Sequence, residues 1–231
     1  MQFLFDHISS FLVFGAIMLI VGLVQLRGMQ SNAETTVNYM VRSSTLDISE
    51  MLERDLMNMR TQAQTDSAIA RGVFSGGALT SYQCQFTANG DTTLIFEFPS
   101  LSDPQTDYSD PMAAPVAQVM YTLDRELGHN VSRLVGGTTQ THPLYRLNRF
   151  VAGSGEGWSD LGVTFFRVEF AENGNPVFQS PLTGQCPVAL SKVRFQLQMA
   201  QEAMDQISDQ ESRTQLNFSR YGATVELSNW D

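Results

Sequence analysis

The chain has 231 residues, room for one good-sized soluble domain and an anchor but not for several large domains. With 42% hydrophobic and only 16% charged residues it is neither disordered nor heavily solvated. A formal charge of −10 argues against binding a phosphate backbone, which needs clustered Lys and Arg, so no nucleic-acid partner is expected; the acidity serves solubility.

From Phe11 to Leu26 the chain reads FLVFGAIMLIVGLVQL, apolar around the whole of a helix and extending, less purely, back to Phe3. About 24 residues at roughly 1.5 Å each give about 36 Å, enough to cross a hydrocarbon core of about 30 Å, so residues 1–28 are expected to form a transmembrane segment rather than a buried soluble helix. The flanking residues lack the basic start and small-residue cleavage site of a removed secretory signal, so the segment is expected to be retained. Arg27, on the C-terminal flank, favours a cytoplasmic C-terminal side on charge alone. Asp6 and His7 lie at the edge of the apolar run, where a carboxylate stays at the interface or finds a partner. A sharper reading pairs Asp6 with an amino terminus or a basic group of a neighbouring subunit, which would set the register of assembly. Gly15 and Gly22, seven apart, fall near one helix face and permit close helix approach; ordinary membrane-helix composition explains them equally.

Helix signals then continue from Gln30 to about Ala70 without a proline, giving residues 29–71 as an amphipathic extension of the same helix. The apolar stripe includes Val37, Val41, Ile48, Leu52, Leu56 and Met59, and the opposite face carries Glu34, Arg42, Glu50, Glu53 and Arg54. Arg71-Gly72 supplies a stop. A coiled-coil stalk competes with this reading, although the stripe lacks regular Leu and Ile.

Residues 72–231 are expected to form a β-rich domain of short Phe, Tyr, Val, Ile and Thr runs punctuated by Gly, Pro, Asn and Asp. The expected strands are Ser81–Thr87, Thr92–Phe98, Ala117–Asp124, Asn130–Val135, Val163–Ala171, Leu190–Met199 and Tyr221–Leu227. Turns are expected at Asn89-Gly90-Asp91 and Glu172-Asn173-Gly174-Asn175. Two long loops are read at Pro99–Pro115 and Gly153–Trp158, and a hairpin tip or short helix at Gln201–Gln215. Asp103, Asp107 and Asp110 offer oxygen ligands, but their spacing does not match the helix-loop-helix calcium pattern, so no metal is assigned. Cys84 and Cys186 form either one long-range disulfide, worth roughly 2 to 4 kcal/mol, or two unpaired buried thiols.

The order of these elements resembles type IV pilin-like proteins, in particular the larger minor pseudopilins of type II secretion and related minor pilins. LERDLMNM (Leu52–Met59) looks like the helix-end segment with its Asp-Leu pair. QVMYTLDRELGHNVSRL (Gln118–Leu134) resembles a Tyr-containing strand, a tight turn and a return strand, and FFRVEFAENGNPV, KVRFQLQM and GATVELSN complete the order. The chain departs from the family at its opening, with neither a basic leader ending in glycine before a Phe-initiated helix nor a glutamate five residues into it, so no processing site is carried over. The resemblance implies an α+β, pilin-like fold, a long helix with a transmembrane first half packed on a mostly antiparallel β domain. It also implies a C-terminal domain outside the cytoplasm of a bacterial cell envelope.

No catalytic residue or cofactor is expected. His7 sits at the membrane, while His129 and His142 are placed in a turn and before Pro143, on surface loops. No nucleophile elbow, phosphate loop or dinucleotide fingerprint occurs in a suitable context. Two readings follow: a minor structural subunit of a pilus or pseudopilus, contacting the membrane and other pilin-like subunits through its N-terminal helix in a hetero-oligomer, or a stand-alone anchored accessory module of a larger envelope complex.

Overall fold

The computed structural model describes residues 2–73, 83–101, 115–135, 138–152, 157–172, 177–179, 183–186, 190–201 and 217–227. The fold is α+β, one long N-terminal helix followed by an antiparallel sheet. The chain divides into two units, Met1–Met40 and Val41–Asp231.

In the first unit, helix α1 (Gln2–Met57) begins. From Phe11 to Leu26 its large apolar side chains are between 45% and 75% exposed. Mean hydropathy reaches 2.0 there, and none of that window is buried within the chain. A core helix of a soluble domain would cover such residues. This helix is long and apolar enough to cross a membrane, and with the β domain it fits a single-pass membrane protein.

In the second unit the same helix changes character. Val41, Thr45, Ile48, Ser49, Leu52, Asp55 and Leu56 are buried, a narrow stripe at three- and four-residue steps. The two hydroxyls on it need no outside partner: Thr45 Oγ1 donates to the Val41 carbonyl (2.6 Å) and Ser49 Oγ to that of Thr45 (2.6 Å).

The expectation of one helix to about Ala70 is corrected: α1 ends at Met57. Asn58 closes it by donating Nδ2 to the Arg54 carbonyl (2.7 Å). The chain then runs beside the strand that holds Ser100. Met59 bridges Ser100, Arg60 N donates to Pro99 O (2.8 Å), and Leu101 N donates to Asn58 O (3.1 Å). Backbone groups spent on a sheet cannot continue a helix. A second helix, α2 (Gln62–Arg71), restarts on a capping box of Thr61 and Gln64 and stops at Gly72, whose φ of 67° is the left-handed conformation anticipated at Arg71-Gly72.

Among the described residues the sheet has eight strands: β1 (Gln85–Asn89), β2 (Thr92–Leu101), β3 (Val116–Val135), β4 (Thr138–Val151), β5 (Gly157–Glu172), β6 (Thr183–Gln185), β7 (Leu190–Gln201) and β8 (Asn217–Glu226). Their order is β6-β1-β2-β3-β4-β5-β7-β8, every pairing antiparallel. The β1–β2 hairpin turns at Gly90-Asp91, where Gly90 has φ 59°. Phe86, Phe96, Phe98, Phe170 and Tyr121 are fully buried and pack edge-on or stacked, with Phe86 and Phe170 centroids 5.6 Å apart.

Several expected boundaries are corrected. Gly128-His129-Asn130 is no turn: β3 runs through it with a register irregularity between Arg125 and Asn130. β3 continues to Val135, which pairs with Thr138, and the return strand β4 was not anticipated. Its opening Thr-Thr-Gln-Thr lacks apolar alternation, so only the partner strand reveals it. Pro99 belongs to β2, opposite Gln118, not to a loop, and Gly157 and Trp158 open β5. Gly162 (φ 120°) lies where a Cβ would come within 2.9 Å of the Ala200 carbonyl, beside a register shift in β5. The remainder of the Pro99–Pro115 and Gly153–Trp158 loops, Asn173 to Asn175, and Gln201–Gln215 beyond Gln201 lie outside the described residues.

Candidate functional site: the helix–sheet lock

Asp55 lies on the buried stripe of α1, three residues after Leu52 and directly before Leu56. Below it, Tyr121 of β3 and Arg149 of β4 are cross-strand partners in register, so their side chains share a face. The three meet. Arg149 grips the carboxylate with two nitrogens, Nε to Oδ2 at 2.6 Å and Nη2 to Oδ1 at 3.0 Å, and Tyr121 donates its hydroxyl to Oδ2 at 2.5 Å. Ser100 Oγ donates to the Asp55 carbonyl (3.3 Å), and the Tyr121 ring stacks on Phe98. Nearby, Tyr221 of β8 donates to Glu53 Oε1 (2.5 Å), a second tie between helix and sheet.

The electrostatics follow from the geometry. Burial pushes the Tyr121 hydroxyl well above its usual range, and the Asp55 charge adds to that push. Burial works against the charged form of Arg149, but its hydrogen bonds to Asp55 and the carboxylate charge outweigh that and hold it firmly cationic. A fork-on-carboxylate pair fixes direction as well as distance, so the constellation sets where the helix sits and how it is rotated on the sheet. The Asp55 carboxylate accepts three bonds in a closed setting, an arrangement suited to holding rather than to passing a proton.

No protein-family model, curated protein or solved structure matches this chain.

The residues singled out in the sequence fall in different places. Cys84 and Cys186 form a disulfide with Cα atoms 5.3 Å apart, and Cys186 N donates to Cys84 O (3.0 Å) beside the β1–β6 ladder. Gly15 and Gly22 lie on α1, where an added Cβ would meet nothing of the chain within 4 Å. Asp6 and His7 lie on α1, with their side chains outside the described residues. His129 and His142 are corrected from loops to strands β3 and β4, His142 opposite Val131. Among the described residues no cluster of His, Cys, Asp and Glu could hold a metal ion; Asp103, Asp107 and Asp110 lie outside them. The Asp55, Tyr121 and Arg149 constellation was not anticipated. Its sequence signals were Asp55 in the Asp-Leu pair of LERDLMNM and Tyr121 in the Tyr-containing strand, with nothing to join either to Arg149.

Proposed function

We propose that this protein is a non-enzymatic, membrane-anchored structural subunit, a minor component of a pilus- or pseudopilus-like assembly, with its β domain outside the cytoplasm. The observation that carries the reading is the change along α1, from apolar side chains exposed all around to a narrow stripe closed onto a sheet by Asp55. The first stretch suits lipid or the matching helices of sister subunits, and the second packs its stripe against the sheet of its own domain. The disulfide supports an oxidising compartment outside the cytoplasm. The closed polar cluster holds no open nucleophile–base pair.

The test is fractionation of the full-length chain. Retention in the membrane without extraction by alkaline carbonate, together with recovery in sheared filaments, is the expected result. A chain that stays soluble and monomeric without detergent overturns the reading. Strict membrane retention with no recovery in filaments replaces it with an anchored accessory module. The mass of the mature N-terminus, measured in the same fractions, shows whether the segment is trimmed on assembly.

A further inference from the structure

The chain between β5 and β7 leaves its own end of the sheet and comes back. β5 and β7 are neighbours toward one end of the strand order, yet the chain joining them supplies β6, which pairs with β1 at the other end. The described parts of this strap, residues 177–179 and 183–186, are each anchored. At the first anchor Gln179 and Phe170 of β5 exchange backbone hydrogen bonds, N to O at 2.8 Å in each direction. Beside it the Arg194 guanidinium lies over the Phe178 ring, 4.4 Å from the centroid, and Arg194 is itself pinned to the buried Glu169 by two nitrogens at 2.6 Å. At the second anchor Thr183–Gln185 pair with Gln85–Thr87, and the Cys84–Cys186 disulfide closes the join.

Both anchors sit on one aromatic cluster. Gln179 bridges Phe170, Gly184 is the strand partner of Phe86, and the Phe86, Phe96 and Phe170 rings contact one another at centroid distances between 5.6 and 6.4 Å. In the same seam Val168 N of β5 donates to Thr93 Oγ1 of β2 (3.0 Å). Strands β2 and β5 have β3 and β4 between them in the sheet and still touch, so the sheet is curled, and the strap crosses the seam where its parts meet. Without the disulfide the second anchor is a three-residue edge strand and the first a one-residue bridge, both of the kind that frays. β1 keeps its own ladder with β2, and the Asp55 clasp on β3 and β4 shares no residue with the strap.

We propose that this strap is a redox-controlled latch. With Cys84 and Cys186 joined it closes the seam between β5 and β1; with them reduced it lifts from Phe170 and uncovers the aromatic cluster, while the helix–sheet lock stays shut. The reductant is a dithiol. One of its thiolates attacks a sulfur of the bond, giving a mixed disulfide and one free cysteine, and its second thiolate then displaces the other cysteine. The dithiol leaves as a disulfide, having given two electrons and two protons to the cysteine pair. Both cysteines are buried, so the reductant reaches them when the strap lifts, and the rate of reduction reports that opening. The latch stands on the strap's own contacts and goes beyond the assembly reading.

The test is amide hydrogen exchange on full-length protein in neutral detergent micelles, before and after dithiothreitol. Reduction is expected to cut protection at Phe170, Gln179 and Cys186 at least about tenfold and to leave the amides around Tyr121 and Arg149 unchanged. C84S/C186S is expected to reproduce the reduced pattern, and the reduced wild type carries the same comparison should that variant fold poorly. Phe178→Ala removes the ring beneath Arg194 and is expected to speed reduction of the folded protein about two- to fivefold. Strap protection that survives reduction overturns the latch. So does protection lost throughout β3 and β4, which would make the disulfide a staple of the whole domain. Reduction of Phe178→Ala at the wild-type rate overturns strap lifting as the step that admits the reductant. None of these results touches membrane retention, on which the subunit reading rests.

Discussion

Two stretches of one helix, Phe11–Leu26 and Val41–Met57, share a backbone and differ in what surrounds them. The first exposes Phe11 at 75% and Leu19 at 64%; the second buries Leu52 and Leu56 completely. The identity of the apolar side chains does not separate them, because both draw on Leu, Ile, Val and Met, although the first is apolar at thirteen of sixteen positions and the second at seven of seventeen. The angular width of the apolar surface does. A helix that is greasy on all sides wants a medium, whereas one that is greasy along a stripe wants a single partner surface.

The largest expected effect breaks the second stretch. Asp55→Ala leaves the partly buried Arg149 without its carboxylate and should destabilise the domain by roughly 3 kcal/mol in urea unfolding, with membrane retention unchanged. The first stretch responds to the opposite kind of change. Ile17→Arg places a charge mid-span at a cost of roughly 2.5–3.5 kcal/mol to insertion, read as loss from the membrane fraction, while the β domain keeps its unfolding midpoint.

Tyr121→Phe is a smaller change, removing one hydrogen bond to a charged acceptor, for a loss of roughly 1.5–3 kcal/mol. It also carries a pH signature. An unfolded tyrosine releases its proton near pH ~10, whereas burial and the Asp55 charge make the folded Tyr121 hold its proton well above that. Stability from this group is therefore full below the unfolded value and falls as pH rises past it, when the unfolded chain gives up the proton and the folded chain keeps it. Alkaline unfolding series should show that decline in wild type and less of it in Tyr121→Phe.

The smallest effect sharpens the comparison within a single helix. Leu46, 41% exposed, lies off the stripe, and Leu46→Ala should stay within about 0.5 kcal/mol, whereas Leu52→Ala should cost roughly 2–5 kcal/mol.

These contrasts also mark what the sequence could disclose. The apolar span and the stripe through Val41, Ile48, Leu52 and Leu56 were legible because period and hydrophobicity are local properties. So was the Gly72 stop. The end of α1 at Met57 was hidden, because it depends on Ser100 and Pro99 arriving alongside from about forty residues away. Strand β4 was hidden for a similar reason: a polar return strand is specified by its partner's backbone more than by its own side chains. Asp55 was visible in the Asp-Leu pair of LERDLMNM and Tyr121 in the Tyr-containing strand. Their link to Arg149 could be named only once the β3–β4 register set Tyr121 and Arg149 opposite each other.

The entry of the chain at Met59 beside Ser100 bears on mechanics. β2 lies inside the sheet, with β1 on one flank and β3 on the other, and the Asp55 clasp reaches β3 and β4. Tension carried along the Val41–Met57 part of α1 is therefore shared between interior strands, through Asp55, and the outer strand β8, through Glu53, instead of falling on one outer strand that could be peeled away bond by bond.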